Sequence, residues 1–128
     1  MSIVYYNIDL NRIVPKLKQI LVKDNRVKIA IIFGSALRRR EVRDIDIAIY
    51  AYPRLSLKEI LLLGDRLERA IDIPIDLIPL DEVFPKLQYK ILMYGLPILI
   101  RDKNLYNKLI LFALGQIQDI QLKMDLYS

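Results

Sequence analysis

Two aspartates separated by a single isoleucine stand at the start of an apolar stretch of the sequence. Asp44 and Asp46 alternate with Ile45, Ile47 and Ile49 in the segment DIDIAIY. Because residues two apart in a β-strand share a face, this spacing predicts that both carboxylates project together, with their Cα atoms about 6.6 Å apart. Two like charges this close raise at least one pKa unless a cation or hydrogen bonds compensate them.

A third carboxylate stands alone in a later strand-like segment, IPIDLIPL, where Asp76 alternates with Ile75 and Leu77. If the two strands are neighbours, three carboxylates converge, as in an octahedral oxygen site for one or two hard cations. The sequence contains no histidine and no cysteine, which excludes imidazole bases, thiol nucleophiles and the usual zinc ligands. We therefore expect Asp44, Asp46 and Asp76 to hold Mg²⁺, or alternatively Mn²⁺, for phosphoryl transfer.

A Gly-Ser pair follows the first strand-like run, which extends from Val27 to Phe33. A glycine at a strand end lets backbone N–H groups approach a phosphate closely, and a serine hydroxyl adds a donor. We expect Gly34 and Ser35 to contact a phosphate, with a short helix or loop following them.

Each of these features has a plainer explanation when it is taken singly. The Gly-Ser pair alone is a turn with a helix cap, and Asp44 alone is a charge that protects a strand edge. Asp46 alone suits the surface of a half-exposed sheet, and Asp76 alone suits a hydrogen bond to a loop. Their occurrence together in this order favours a phosphoryl-transfer site.

Arginines and tyrosines near these motifs leave alternatives open. The basic spacer ALRRREVR contains four arginines that could neutralise a triphosphate, engage an acidic partner or form a solvated loop: Arg38, Arg39, Arg40 and Arg43. Aromatic rings could stack on a base, but we expect core or half-buried packing for the following tyrosines: Tyr5, Tyr6, Tyr50, Tyr52, Tyr89 and Tyr94.

Helix and strand signals alternate along the chain and predict an α+β fold, a mixed β-sheet flanked by helices. Helices are predicted over 9–23, 56–71, 81–94 and 103–125, and strands over 27–33, 44–51, 73–80 and 97–101. Ser56 and Glu59 form a capping-box pattern at the start of the second helix. Pro15 is expected in or before the first turn of its helix, and Gly95 is expected to end the third.

The composition indicates one compact domain over residues 1–128, since 54% of the residues are hydrophobic and 27% are charged. The net charge of +5 suits phosphate-bearing or acidic partners, but it is weak evidence for nucleic-acid binding, which the expected activity does not require. The N-terminus is a poor signal peptide, and apolar runs such as LILFALG fall short of the roughly 18 residues that span a bilayer. We expect a soluble cytoplasmic protein without a membrane anchor.

The motifs together resemble those of a known family. Gly34-Ser35, the DID of residues 44–46 and the later IDLI around Asp76 are similar to the minimal nucleotidyltransferases (MNT) of the DNA polymerase β superfamily, many of them prokaryotic partners of HEPN proteins. The resemblance extends past Asp76 to YGLPILIRD. It implies a nucleotidyltransferase fold, Mg²⁺ held by Asp44 and Asp46, and Asp76 as third carboxylate and base. Gly34 and Ser35 would then contact the nucleotide triphosphate. The spacer is a residue or two shorter than is usual, and Arg43 stands where serine is frequent.

The resemblance implies transfer of NMP, specifically AMP from ATP, to a hydroxyl of a partner protein. It further implies an antitoxin that acts on a HEPN ribonuclease toxin through a tyrosine. One alternative is a catalytically weak module of the same fold that neutralises its partner by contact. Another is a small-molecule nucleotidyltransferase of the aminoglycoside-modifying kind.

The last predicted helix has more apolar residues than one small sheet is expected to bury. They are spread over a wide face: Leu105, Leu109, Phe112, Ala113, Leu114, Ile117, Ile120 and Met124. We expect this helix to contact another chain, either a HEPN partner or a second copy. The alternative is that it packs on its own sheet and leaves scattered apolar residues in water.

Overall fold

A computed structural model describes residues 3–126, which form helices packed on both faces of a mixed sheet. The strands are β1 (Tyr6–Asn7), β2 (Val27–Phe33), β3 (Glu41–Val42), β4 (Ile45–Ala51), β5 (Ile75–Pro79) and β6 (Leu96–Ile100). The α-helices are α1 (Leu10–Leu21), α2 (Leu57–Ile71), α3 (Pro85–Tyr94) and α4 (Lys103–Leu126). Short 3-10 helices span Gly34–Leu37 and Leu80–Glu82.

The main sheet has the strand order β5-β4-β2-β6. β4 and β5 are parallel, whereas β2 is antiparallel to both β4 and β6. As a result, the C-terminal end of β2 lies beside the N-terminal ends of β4, β5 and β6, and we call this the Gly34 end of the sheet. The predicted α+β class and mixed sheet are confirmed.

The two faces of the sheet have separate hydrophobic cores. Ile45, Ile47 and Ile49 belong to the core that includes buried residues of α1 and α2. The opposite face, which includes Ala48, packs against α3 and the first half of α4. Alternation along β4 therefore sends its isoleucines to one core and leaves its Asp46 face toward the other side.

α1 begins within one residue of its predicted start, but Pro15 lies further into the helix than expected. Asp9 caps the helix, its Oδ1 accepting a hydrogen bond of 3.1 Å from the amide of Asn11. The first turn therefore starts at Leu10, and Pro15 lies in the second turn, on an exposed position. The expectation that Pro15 lies in or before the first turn was wrong, because the cap at Asp9 fixed the start of the helix.

The third helix begins later than predicted. Its predicted start at Asp81 falls in the short 3-10 helix, and α3 proper starts at Pro85. Phe84 is extended (φ −66°, ψ 154°), as the residue before a proline prefers, and a proline is well suited to the first helical position. Gly95 ends the helix as expected, its amide donating to the carbonyl of Ile91 at 2.9 Å.

A small two-stranded ribbon, which the sequence did not predict, holds the basic spacer. β1 pairs with β3 through Tyr6 and Val42, and the amide of Ile8 donates to the carbonyl of Arg40 at 2.8 Å. The spacer is therefore attached to the segment that precedes α1.

α4 packs on the sheet only along its first half. Leu105 and Leu109 pack against the core on the sheet face that α3 covers, and Ala113 is the buried residue of the helix. From Gln118 to Leu126 every side chain is exposed, and Phe112 is 63% exposed. Within residues 3–126 none of the helices combines the length and apolarity required to cross a membrane. The apolar surplus of α4 is present, and its contact with another chain stays a prediction.

Arg101, just after β6, joins the sheet to the loop between α1 and β2. Its guanidinium donates to the carbonyls of Val27 at 2.7 Å and Val22 at 2.6 Å. We expect Arg101→Met to lower the free energy of unfolding by about 1–2 kcal/mol, because two charge-assisted hydrogen bonds to backbone carbonyls are lost, of which the one to Val27 is part-buried. Urea denaturation measures the change. Arg66→Met on the exposed face of α2 is the control, and equal effects of the two variants would contradict the prediction.

Candidate active site

Asp46 and Asp76 lie side by side at the Gly34 end of the sheet. They are register partners on the parallel strands β4 and β5. The amide of Ile45 donates to the carbonyl of Pro74 at 2.9 Å, which fixes this register at the point where both strands begin. Paired residues of adjacent strands share a face, so the two carboxylates project from the same side of the sheet.

Asp44 comes immediately before β4 and acts on Asp46 electrostatically. Burial, followed by the negative charges of Asp44 and Asp76, raises the pKa of Asp46 to about 6. Within residues 3–126 none of these three side chains accepts a hydrogen bond or forms an ion pair. The cluster is therefore an uncompensated concentration of negative charge.

The chemistry of this cluster fits a hard cation. Its donors are carboxylate oxygens, which suit Mg²⁺ or Mn²⁺ rather than soft metals, and a cation would relieve the repulsion that raises the pKa of Asp46. In the arrangement that residues 3–126 adopt, however, no three acidic side chains form a group that would hold a metal ion. The convergence of Asp44, Asp46 and Asp76 on one ion stays a prediction.

Gly34 lies against Asp46, and two features of this position require glycine. Its φ of +80° falls in the left-handed region, and a Cβ at this position would collide with Oδ2 of Asp46. The contact arises because Phe33, at the end of β2, is the register partner of Asp46. The structure thus brings the predicted Gly-Ser turn directly to the acidic cluster.

Ser35 belongs to the short 3-10 helix that follows the strand. Its carbonyl accepts hydrogen bonds of 3.0 Å from the amides of Arg38 and Arg39, which closes the turn. The residue is half-buried, and its hydroxyl has no hydrogen-bond partner within the described range 3–126. That hydroxyl is therefore free to contact a ligand beside Gly34.

A cleft of about 510 Å³ lies beside Gly34. Its walls come from the Gly-Ser turn and from one face of α3, and its lining residues are Phe33, Gly34, Leu37, Arg38, Leu87, Lys90, Ile91, Tyr94 and Gly95. The mostly apolar surface thus carries two cationic side chains, Arg38 and Lys90. Gly34 is common to this cleft and to the acidic cluster, so the two features adjoin.

The sequence reading overlooked the contribution of α3 to this cleft. Leu87, Lys90, Ile91 and Tyr94 follow helical spacing, which could have revealed one common face. Tyr94 is 72% exposed rather than packed, because it stands at the end of α3. Tyr5 and Tyr52 are exposed too, so the packing expectation was wrong for these three tyrosines. It was right for the half-buried ones, which are Tyr6, Tyr50 and Tyr89.

The four arginines of the spacer are exposed, and in the described part of the chain none of them forms an ion pair. Arg38 lines both the cleft and a neighbouring groove beside the start of α1, whereas Arg39 and Arg40 line that neighbouring groove. Of the four, Arg38 has the most direct access to a ligand at the Gly-Ser turn.

A family model described as polymerase beta, nucleotidyltransferase matches residues 15–104, which include the Gly-Ser turn and all three aspartates. The chain belongs to the polymerase beta nucleotidyltransferase family. No sequence among curated proteins matches significantly.

Solved structures of toxin–antitoxin complexes contain chains with the same nucleotidyltransferase fold. A chain of the MntA-HepT complex is 19% identical, with a TM-score of 0.73 over 91% of this chain and 94% of that one. A complex of a tri-AMPylated Shewanella oneidensis HEPN toxin with MNT antitoxin gives 19% identity, a TM-score of 0.75 and coverage of 93% and 95%. A toxin–antitoxin structure with AMP-PNP gives 20% identity, a TM-score of 0.75 and coverage of 89% and 94%. At these identities the likeness establishes the fold of this family member.

Proposed function

We propose that this chain is a Mg²⁺-dependent nucleotidyltransferase that transfers AMP from ATP to a hydroxyl of a HEPN-type partner protein and so acts as its antitoxin. The observation that carries the proposal is the register pairing of Asp46 with Asp76 directly beside Gly34. This arrangement joins an acidic cluster to a turn and cleft suited to phosphates.

Each group at the site has a separate task in this proposal. The backbone of Gly34 and the hydroxyl of Ser35 bind the triphosphate, and Arg38 and Lys90 neutralise its charge from the cleft. Asp44, Asp46 and Asp76 would hold the cation, which supplies charge neutralisation and polarises the phosphate when bound. Tyr94, at the mouth of the cleft, offers a ring for stacking on the base.

The reaction exchanges one phosphorus–oxygen bond for another. The acceptor hydroxyl oxygen bonds to the α-phosphorus of ATP, and the bond from that phosphorus to the bridging oxygen of the β-phosphate breaks. Pyrophosphate carries away the electron pair. Asp76, the exposed carboxylate of the three, accepts the proton of the hydroxyl as base.

The partner class and the nucleotide follow from structurally similar proteins. One related complex contains a tri-AMPylated HEPN toxin with an MNT antitoxin, and another contains AMP-PNP, an ATP analogue. These facts concern those complexes, and they support a HEPN acceptor and ATP as donor for this chain. The absence of histidine here means that any ribonuclease centre containing histidine must belong to the partner.

Labelled ATP tests the proposal directly. The chain is incubated with Mg²⁺, ATP labelled at the α-phosphate, and any HEPN-type protein encoded by a neighbouring gene, which we call the candidate partner. We expect the label on the partner, on a tyrosine, with one pyrophosphate released for each AMP transferred. A parallel reaction with ATP labelled at the γ-phosphate should leave the partner unlabelled.

Two controls make the result decisive. EDTA should abolish transfer, and Mn²⁺ should restore it, if a hard cation is required. A partner that carries no label with either Mg²⁺ or Mn²⁺ overturns the enzymatic proposal.

A second candidate function is neutralisation of the partner by contact alone. It is favoured by the finding that, across residues 3–126, no three acidic side chains form a group that would hold a metal ion. The exposed apolar side chains of α4 would supply a contact surface. Substitution of the aspartates distinguishes the two functions, as described in the Discussion.

A further inference from the structure

Glu68 accepts two hydrogen bonds in the turn between α2 and β5, one through its backbone carbonyl and one through its carboxylate. Its carbonyl accepts a hydrogen bond of 2.7 Å from the amide of Asp72, the left-handed residue (φ 57°) that ends α2. Its carboxylate Oε1 accepts a second hydrogen bond, of 2.9 Å, from the amide of Ile75, the first residue of β5. The residue is half-buried, as is Glu59 near the start of the helix, whereas Asp65 is exposed.

The second of these bonds replaces a neighbouring strand. β5 is the last strand on its side of the sheet. The carbonyl of Pro74 accepts from the amide of Ile45 of β4, so the amide of Ile75, one residue later, points to the other side of the strand. On that side residues 3–126 form no further strand. Glu68 satisfies this amide, and the start of β5 is thereby held from both sides.

Asp76 follows Ile75 directly. Its side chain is exposed and has no hydrogen-bond partner within residues 3–126, so side-chain contacts do not hold it in place. The position of its carboxylate beside Asp46 therefore depends on the backbone at the start of β5. The two bonds that fix that backbone are those from Glu68 and from β4.

We propose that Glu68 is a positioning residue for the transfer reaction: its carboxylate holds the amide of Ile75 and so sets Asp76 at the correct distance from Asp46 and the acceptor hydroxyl. The inference rests on the proposed function, because it assigns Asp76 a part in AMP transfer. Hydrogen bonding, rather than the negative charge of Glu68, is the property that matters.

Three substitutions at Glu68 separate these properties in the full-length chain. Glu68→Ala removes the acceptor, Glu68→Gln keeps an acceptor oxygen without the charge, and Glu68→Asp keeps the charge but is one methylene too short. In AMP transfer to the candidate partner, we expect kcat to fall about tenfold for Ala and Asp and to be rescued by Gln. A displacement of reacting groups by about 1 Å costs roughly 10²-fold, and the loss of one hydrogen bond at the start of β5 should shift Asp76 by less than that. The KM for ATP should change much less than kcat, because Gly34, Ser35 and the cleft are not built from α2 or β5 and only Asp76 of the cation's three carboxylates is displaced.

Glu59→Ala is the matched control on the same helix. Glu59 also accepts a hydrogen bond from a backbone amide, that of Ser56 at 3.1 Å, and it pairs with Arg26, but it lies at the opposite end of α2. Its removal should lower the Tm without changing kcat. A purely structural role for Glu68 predicts the same result for Glu68→Ala, and that result would overturn the inference. So would an inactive Glu68→Gln variant.

Amide hydrogen exchange gives a reading that does not depend on activity. The Ile75 amide should lose protection in Glu68→Ala and retain it in Glu68→Gln; if Glu68→Ala fails to fold, Glu68→Asp takes its place. If the wild-type chain transfers no AMP, the proposed function and the catalytic part of this inference both fail. In that case, equal exchange of the Ile75 amide in the wild type and in Glu68→Ala would show that Glu68 does not hold β5 either. If the wild-type chain does transfer AMP, and a folded Glu68→Ala variant transfers it at the same rate, the inference alone is overturned.

Discussion

The double variant Asp44→Asn, Asp46→Asn should transfer no detectable AMP to the candidate partner. We expect a loss of at least about 10³-fold, because charge stabilisation by a bound cation is worth several kcal/mol and about 1.4 kcal/mol corresponds to tenfold in rate. The measurement is the initial rate of label transfer from ATP with Mg²⁺ present. A rate within tenfold of the wild-type rate would contradict the assignment of these two aspartates.

Loss of fold is not expected to account for this effect. Burial and neighbouring charges raise the pKa of Asp46, so its ionised form is unfavourable in the folded chain without a cation, and asparagine removes that charge. The double variant should therefore have at least the wild-type Tm. The control variant Asp65→Asn, Asp119→Asn also removes two carboxylates, but from exposed positions on α2 and α4, and it should transfer AMP normally.

The same double variant separates catalysis from contact. If it still neutralises the candidate partner at the stoichiometry of the wild-type chain, the chemistry is dispensable and contact is the function. If neutralisation disappears while binding measured by co-purification persists, AMP transfer is the function.

Gly34→Ala should reduce AMP transfer by roughly 10²-fold, the cost of displacing reacting groups by about 1 Å. Two effects combine at this position. A φ of +80° costs a non-glycine residue about 1–2 kcal/mol, and the new Cβ collides with Oδ2 of Asp46. Either the turn or the carboxylate must move, and both belong to the proposed site. Transfer rate and ATP binding by calorimetry measure the change.

Gly115→Ala is the matched control for this substitution. Gly115 lies within α4, and a Cβ added there would have no neighbouring atom of the described residues within 4 Å. Alanine in a helix interior stabilises by roughly 0.5–1 kcal/mol relative to glycine, so the Tm should rise and the transfer rate should not change. A Gly34→Ala variant with wild-type rate and ATP affinity would remove the Gly-Ser turn from the proposed site.

Local sequence patterns predicted the features that depend on neighbours along the chain. The capping box at Ser56 and Glu59 forms with both of its hydrogen bonds, because the two residues lie in one helical turn. The alternating pattern correctly predicted that Ile45 and Ile47 face a core and that Asp46 lies on the other face, since successive side chains of any strand point to opposite sides. These properties do not require knowledge of the sheet order.

Only the tertiary structure decided which distant segments meet. Periodicity gives the face of Asp76 within its own strand, but only the parallel pairing of β4 with β5 places it beside Asp46. The antiparallel pairing of β2 with β4 likewise brings Gly34 against Asp46, and the packing of α3 adds Lys90 to the cleft. Strand order depends on loop closure and on the joint burial of both sheet faces, which are energies of the whole chain rather than of any short segment.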